Sequence, residues 1–247
     1  MSLRALLAGA VASTVCVAGC GAPATPTTVV VFAAASLDGA FTRLGRAFEA
    51  AHPGVSVRFS FDGSTTLVDQ LSGGATADVL ATADRPTMER AVGAGLVSGS
   101  PAPFASNVLT LIVPRGNPAR VTGLDASLEG TKLVTCAVQV PCGAATRELA
   151  RQVGVALHPV SEETKVTDVR TKVESGQADA GIVYATDARA AGGSVDEIPV
   201  AAAGVRNLYL AAVPASAGEP GLGREFIQLV LSDAGQQVLG SAGFGGV

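Results

Sequence analysis

The chain has 247 residues, 48% of them hydrophobic and only 15% charged, with a formal net charge of −4. A mildly acidic chain without basic runs argues against nucleic-acid binding. With no Trp, two Tyr and eight Phe, the core has to be built from Val, Leu, Ala and Ile.

The first residues, Met1-Ser2-Leu3-Arg4, carry one basic side chain, and the chain then runs apolar as far as Val17. Such a run is too short for a permanent membrane span and reads as a signal for export. It ends in Val17-Ala18-Gly19-Cys20, an aliphatic residue, two small ones and a cysteine. That tetrad resembles the lipobox of bacterial lipoproteins, which implies removal of residues 1–19 and lipidation of Cys20. An ordinary signal peptide followed by a coincidental cysteine is the alternative. Residues 20–27 are rich in Pro, Thr and Ala without apolar periodicity, so they are expected to form an extended tether. Export places the mature chain in an oxidising setting, where Cys136 and Cys142, six apart, are expected to form a disulfide. Two thiolates alone do not make a structural zinc site.

The mature region alternates apolar strand-like runs with amphipathic helices, the pattern of an α/β protein. Residues 29–34 form a continuous apolar run, as a buried parallel strand does. Ser36 then stands as an N-cap before Leu37, Ala40, Phe41, Leu44, Ala47 and Phe48, spaced along one helical face. Residues 55–61 alternate as a second strand, and Gly63-Ser64-Thr65-Thr66 opens a helix carrying Leu67, Val68 and Leu71. A third strand over 77–82 leads through Asp84 and Pro86 into a helix ending near Gly95. A second series follows, with strands at 108–113, 132–138 and 180–184 and helices at 143–153 and 167–175. A last strand at 208–213 precedes a helical stretch over 224–239. Two such series suggest two lobes.

Enzyme chemistry has little to work with. His52 and His158 each precede a proline in a loop, and the chain holds no Gly-x-Ser-x-Gly elbow, His-Glu-x-x-His pair or Walker loop. Ser64 is the nearest thing to a nucleophile, and a lipid-anchored hydrolase built on it is the alternative from a different class. What recurs instead is a set of neutral donors at helix N-termini: Ser36, Ser64, the turn before Gly143 and the turn holding Val169. Helix N-termini present unpaired N–H groups and the positive end of the helix dipole, which suits an anion. Singly, each serine reads more simply as an ordinary helix cap.

Several segments together carry a resemblance. Phe32-Ala33-Ala34-Ala35-Ser36-Leu37, Phe61-Asp62-Gly63-Ser64-Thr65-Thr66-Leu67 and Ala77 through Asp84 come in that order. Asp168-Val169-Arg170, Gly181-Ile182-Val183-Tyr184 and the closing Gly243-Phe244 follow. In order and spacing these segments resemble the periplasmic molybdate-binding proteins of ABC uptake systems. The resemblance implies a two-lobed periplasmic-binding-protein fold of type II. Each lobe is then a mixed, mostly parallel sheet flanked by helices, and the hinge has two crossings. It implies a first lobe of 28–107 plus 213–247 and a second of 108–212. Carried over position by position, it places the anion against Ser36, Ser64, Cys142, Val169 and Tyr184, with Cys142 contributing backbone only. It implies that Arg170 points away or pairs with an acid. It further implies a monomeric receptor for molybdate or tungstate, not an enzyme, with no cofactor and no directly coordinated metal. Such a receptor is exported to the outer face of the cytoplasmic membrane, held there by the lipid anchor, and hands its ligand to a permease and ATPase complex. A receptor for sulfate or thiosulfate is the alternative within the same class.

Overall fold

The computed structural model describes residues 27–200 and 204–247. The signal expected at 1–19, the lipidated Cys20 and the tether as far as residue 26 lie outside the described residues. The first elements are β1 (Thr27–Ala34), α1 (Asp38–Ala51), β2 (Val55–Asp62), α2 (Ser64–Ser72), β3 (Val79–Thr82), α3 (Arg85–Gly93) and β4 (Val97–Pro114). Next come β5 (Leu133–Cys136), α4 (Pro141–Val153), β6 (Ser161–Glu163), α5 (Val166–Glu174), β7 (Ala180–Tyr184), α6 (Ala185–Ala190) and β8 (Val195–Ile198). The chain closes with β9 (Arg206–Pro214), α7 (Pro220–Leu231) and α8 (Asp233–Ala242).

The first lobe is the sheet β2-β1-β3-β9-β4, in which β1 is parallel to β2 and β3 while β9 is antiparallel to β3 and β4. The run 29–34 is apolar throughout because both faces of β1 are covered. Val29, Val31 and Ala33 pack with Leu37, Phe41, Leu44 and Phe226 on one face, and Phe32 packs with Leu67, Leu80 and Met88 on the other. A helix the length of α1 is marginal alone in water, so packing of its apolar stripe holds it in place. Each of its buried Phe and Leu side chains contributes roughly 1.5–3 kcal/mol.

The second lobe takes the far half of β4, antiparallel to β7 on one side and to β8 on the other, with β5 parallel to β7 and β6. Leu111, Leu133, Leu149, Val169, Val173 and Ile182 belong to its core. One strand thus serves two sheets. The sequence shows only its second half, because Gly99, Pro101 and Pro103 interrupt the first. Register shifts between Ser98 and Ala102 and between Pro103 and Ala105 absorb the interruption.

Two further elements differ from expectation in detail. The strand expected at 208–213, with a lobe boundary at 213, is β9, and it pairs with β3 through Leu80↔Ala212 and Thr82↔Leu210. It therefore belongs to the same sheet as β1, β2 and β3. The stretch 224–239 is two helices, broken at Ser232, whose extended backbone (ψ 162°) ends α7 and whose hydroxyl caps α8 by accepting the Gly235 N–H. β6, α6 and β8 went unanticipated, being too short to show a hydrophobic period.

Candidate anion-binding site

The parallel strands of both lobes end toward one another, so the helix N-termini that follow them converge on a single cleft. Its walls include Ser36, Gly63, Ser64 and Ala83 from the first lobe and Val140, Cys142, Lys165, Val166 and Tyr184 from the second. Four of the five residues expected at the site are brought together here.

Ser36 does not cap α1. It sits inside a 3-10 turn, makes no capping bond, and places Oγ 2.8 Å from the hydroxyl of Tyr209. Ser64 is the first residue of α2, is 2% exposed, and accepts the Ala83 N–H through Oγ at 3.0 Å. A hydroxyl oxygen that already accepts keeps its own proton to donate.

On the opposite wall, α4 opens with Pro141, which has no N–H, while Gly143 and Ala144 donate to Val140 O at 3.0 Å each. Among the described residues that leaves the Cys142 N–H as the first-turn donor of α4 without a protein partner. The Tyr184 hydroxyl is buried in the cleft wall and has no hydrogen-bond partner among the described residues. Burial holds its pKa well above the ordinary phenol value, so it remains a donor.

Val169 is the fourth residue of α5, and its side chain packs completely buried beneath Gly181. Unlike the fourth residues of α2 and α4, Leu67 and Ala144, its N–H has no acceptor at the N-cap carbonyl among the described residues. Val166, the first residue of that helix, lines the cleft wall. Sequence reading also missed Tyr209 and Asn107. A tyrosine in an otherwise apolar, buried strand was the available signal, since its hydroxyl needs a partner. Arg170 lies outside the cleft walls, 3.6 Å from Glu174 and 3.8 Å from Asp187. Burial raises the Asp187 carboxyl to about 7, against the pull of Arg170.

The lobes also touch directly. Thr65 Oγ1 donates to Gln139 O at 2.9 Å, and Asn107 Nδ2 donates to Thr186 Oγ1 at 2.8 Å. Gln139 lies in the loop between Cys136 and Cys142, whose sulfurs are bonded at 2.07 Å. One short bridged loop therefore presents both the Cys142 N–H and the Gln139 carbonyl. Replacing both cysteines by alanine should cost about 2 kcal/mol of stability from the lost loop constraint. It should also weaken anion binding several-fold, because that loop is no longer held. Denaturant unfolding and calorimetric titration would measure the two effects separately, and unchanged affinity would remove the bridge from the site.

A family model for bacterial extracellular solute-binding proteins matches residues 29–245. The chain belongs to that family. This solute-binding protein is 45% identical over 228 residues to the molybdate-binding protein ModA of Mycobacterium tuberculosis H37Rv, covering 90% of this chain and 87% of the relative. Among solved structures, the periplasmic molybdate-binding protein of Azotobacter vinelandii superposes with a TM-score of 0.70 at 20% identity, over 87% of this chain and 98% of that one. The sulfate-binding protein SubI of Mycobacterium tuberculosis H37Rv does so with a TM-score of 0.72 at 24% identity, over 90% and 87%. The fold of this solute-binding protein is accordingly the two-lobed periplasmic-binding-protein fold of type II.

Proposed function

We propose that this solute-binding protein captures molybdate between its lobes and delivers it to the permease and ATPase of an ABC transporter. In this reading it works outside the cytoplasm, tethered through a lipid on Cys20, and it takes tungstate as readily because the two anions are nearly the same size. The observation that carries the reading is the buried Tyr184 hydroxyl, without a partner among the described residues in a cleft where Ser64 has its acceptor role filled and Ser36 is hydrogen-bonded to Tyr209. With the N–H groups of Cys142 and Val166, the cleft offers donors from both lobes.

Molybdate is a tetrahedral dianion whose oxygens only accept at neutral pH, so a site built of donors matches it. Phosphate usually carries a proton that finds no acceptor there, and a buried group left unpaired costs roughly 1–3 kcal/mol. Sulfate is smaller and does not touch both walls. The fold is shared with a sulfate-binding protein and does not separate the two ligands. The sequence favours molybdate, through the 45% identity to a protein named for it.

Thermal unfolding with each sodium salt tests this directly. Molybdate or tungstate at a hundredfold over its dissociation constant should add about 2.7 kcal/mol of stability, with phosphate and sulfate adding little. A shift with sulfate and none with molybdate would overturn the assignment.

A further inference from the structure

Asn107 lies in β4 where the chain passes between lobes, and it is 3% exposed. Its Oδ1 accepts the Val108 N–H at 3.0 Å, which fixes the orientation of the amide. Nδ2 then faces Thr186 Oγ1 at 2.8 Å and the Tyr209 hydroxyl at 3.3 Å. An amide nitrogen only donates, so the Tyr209 oxygen accepts from it. The single proton of Tyr209 is then available to Ser36 Oγ, which at 2.8 Å is closer to it than the Asn107 amide. Ser36 Oγ, accepting from Tyr209, keeps its own proton for the cleft.

Ser64 reaches the same state by a shorter route, because a main-chain N–H, that of Ala83, never accepts. The direction of the Ser36 hydroxyl, by contrast, depends on a side-chain relay that begins at Val108 and ends at the anion. Tyr209 is fully buried, and burial holds its phenol above the ordinary value, so the relay does not lose its proton near neutral pH.

We propose that Tyr209 is a positioning residue that forces Ser36 to donate, and so sets the preference of the site for unprotonated over protonated tetrahedral anions. The inference rests on the oxyanion-receptor reading and extends it to a residue that does not touch the ligand. Without the Tyr209 hydroxyl, Ser36 is free to turn and accept a proton from an anion such as hydrogen phosphate.

The test titrates wild type, Tyr209→Phe, Ser36→Ala and the double variant with sodium molybdate and with inorganic phosphate at mildly acidic pH. Tyr209→Phe should weaken molybdate about tenfold and lower the molybdate-to-phosphate affinity ratio. In the Ser36→Ala background it should cost less than about twofold more, because the effect passes through Ser36. The phenylalanine ring keeps the edge contacts of Tyr209 with Phe104, Tyr184 and Phe244, and the melting temperature of the free protein checks that the variant folds. Asn107→Ala leaves the Tyr209 hydroxyl present but free to turn, and it should shift the ratio the same way. Additive losses, or an unchanged ratio in both the Tyr209 and Asn107 variants, would overturn the inference alone. A wild type that binds no molybdate would overturn the receptor reading and this inference together.

Discussion

Gly63→Ala should lower molybdate affinity by roughly 10²–10⁴-fold while leaving the melting temperature of the free protein near that of wild type. Gly63 has φ −58° and ψ 134°, a conformation open to any residue, so the backbone itself does not oppose alanine. The objection comes from across the cleft. An added Cβ would stand 2.2 Å from the carbonyl oxygen of Thr164, which lies in the second lobe just before α5. Carbon and oxygen need roughly 1 Å more than that, and a main-chain carbonyl cannot turn aside as a flexible side chain does. The lobes would be held apart, and Cys142, Val166 and Tyr184 would no longer reach an anion resting on Ser36 and Ser64. Losing two hydrogen bonds to a charged ligand, at roughly 1.5–3 kcal/mol each, sets the expected range. A protein with its lobes apart does not feel the clash, so only the closed, ligand-bound state is penalised. Calorimetric titration and a thermal scan of the same sample would check both halves. Binding within threefold of wild type would show that this close approach does not limit closure.

Ser64→Ala should weaken molybdate by roughly 1–3 kcal/mol and, unlike Gly63→Ala, should also destabilise the free protein by a similar amount. The hydroxyl has two roles. Its proton faces the cleft, and its oxygen accepts the Ala83 N–H at 3.0 Å in a position that is 2% exposed. Alanine removes both, leaving a buried N–H without an acceptor whether or not ligand is present. Denaturant unfolding would read the second loss and titration the first. Full affinity in this variant would take Ser64 out of the site, and full stability would mean that water or a shifted backbone serves Ala83.

The alternation of apolar runs and amphipathic helices was legible because each element announces itself locally, through a period of 2 or 3.6 and through caps and glycines. Ser36, Ser64, Cys142 and Tyr184 were legible too, since each lies in or beside the turn that ends a parallel strand, and such turns share one edge of a sheet. Val166 and Val169 mark what local reading leaves open. Both are apolar residues of α5 in the same core, so the pattern does not separate them. Which N–H groups are left free depends on where the helix starts, and Lys165 begins it without a side-chain cap.

By itself, then, the sequence determined an α/β chain with donors gathered at helix N-termini, because those properties are set by neighbours along the chain. Only the tertiary structure decided that β9 pairs with β3, that Gly63 meets the Thr164 carbonyl, and that Tyr209 meets a serine 173 residues away. Strand pairing, lobe contact and hydrogen-bond direction each depend on groups that folding brings together from distant parts of the chain. An apolar strand carries no mark of its partner, and a hydroxyl carries no mark of which way its proton will point.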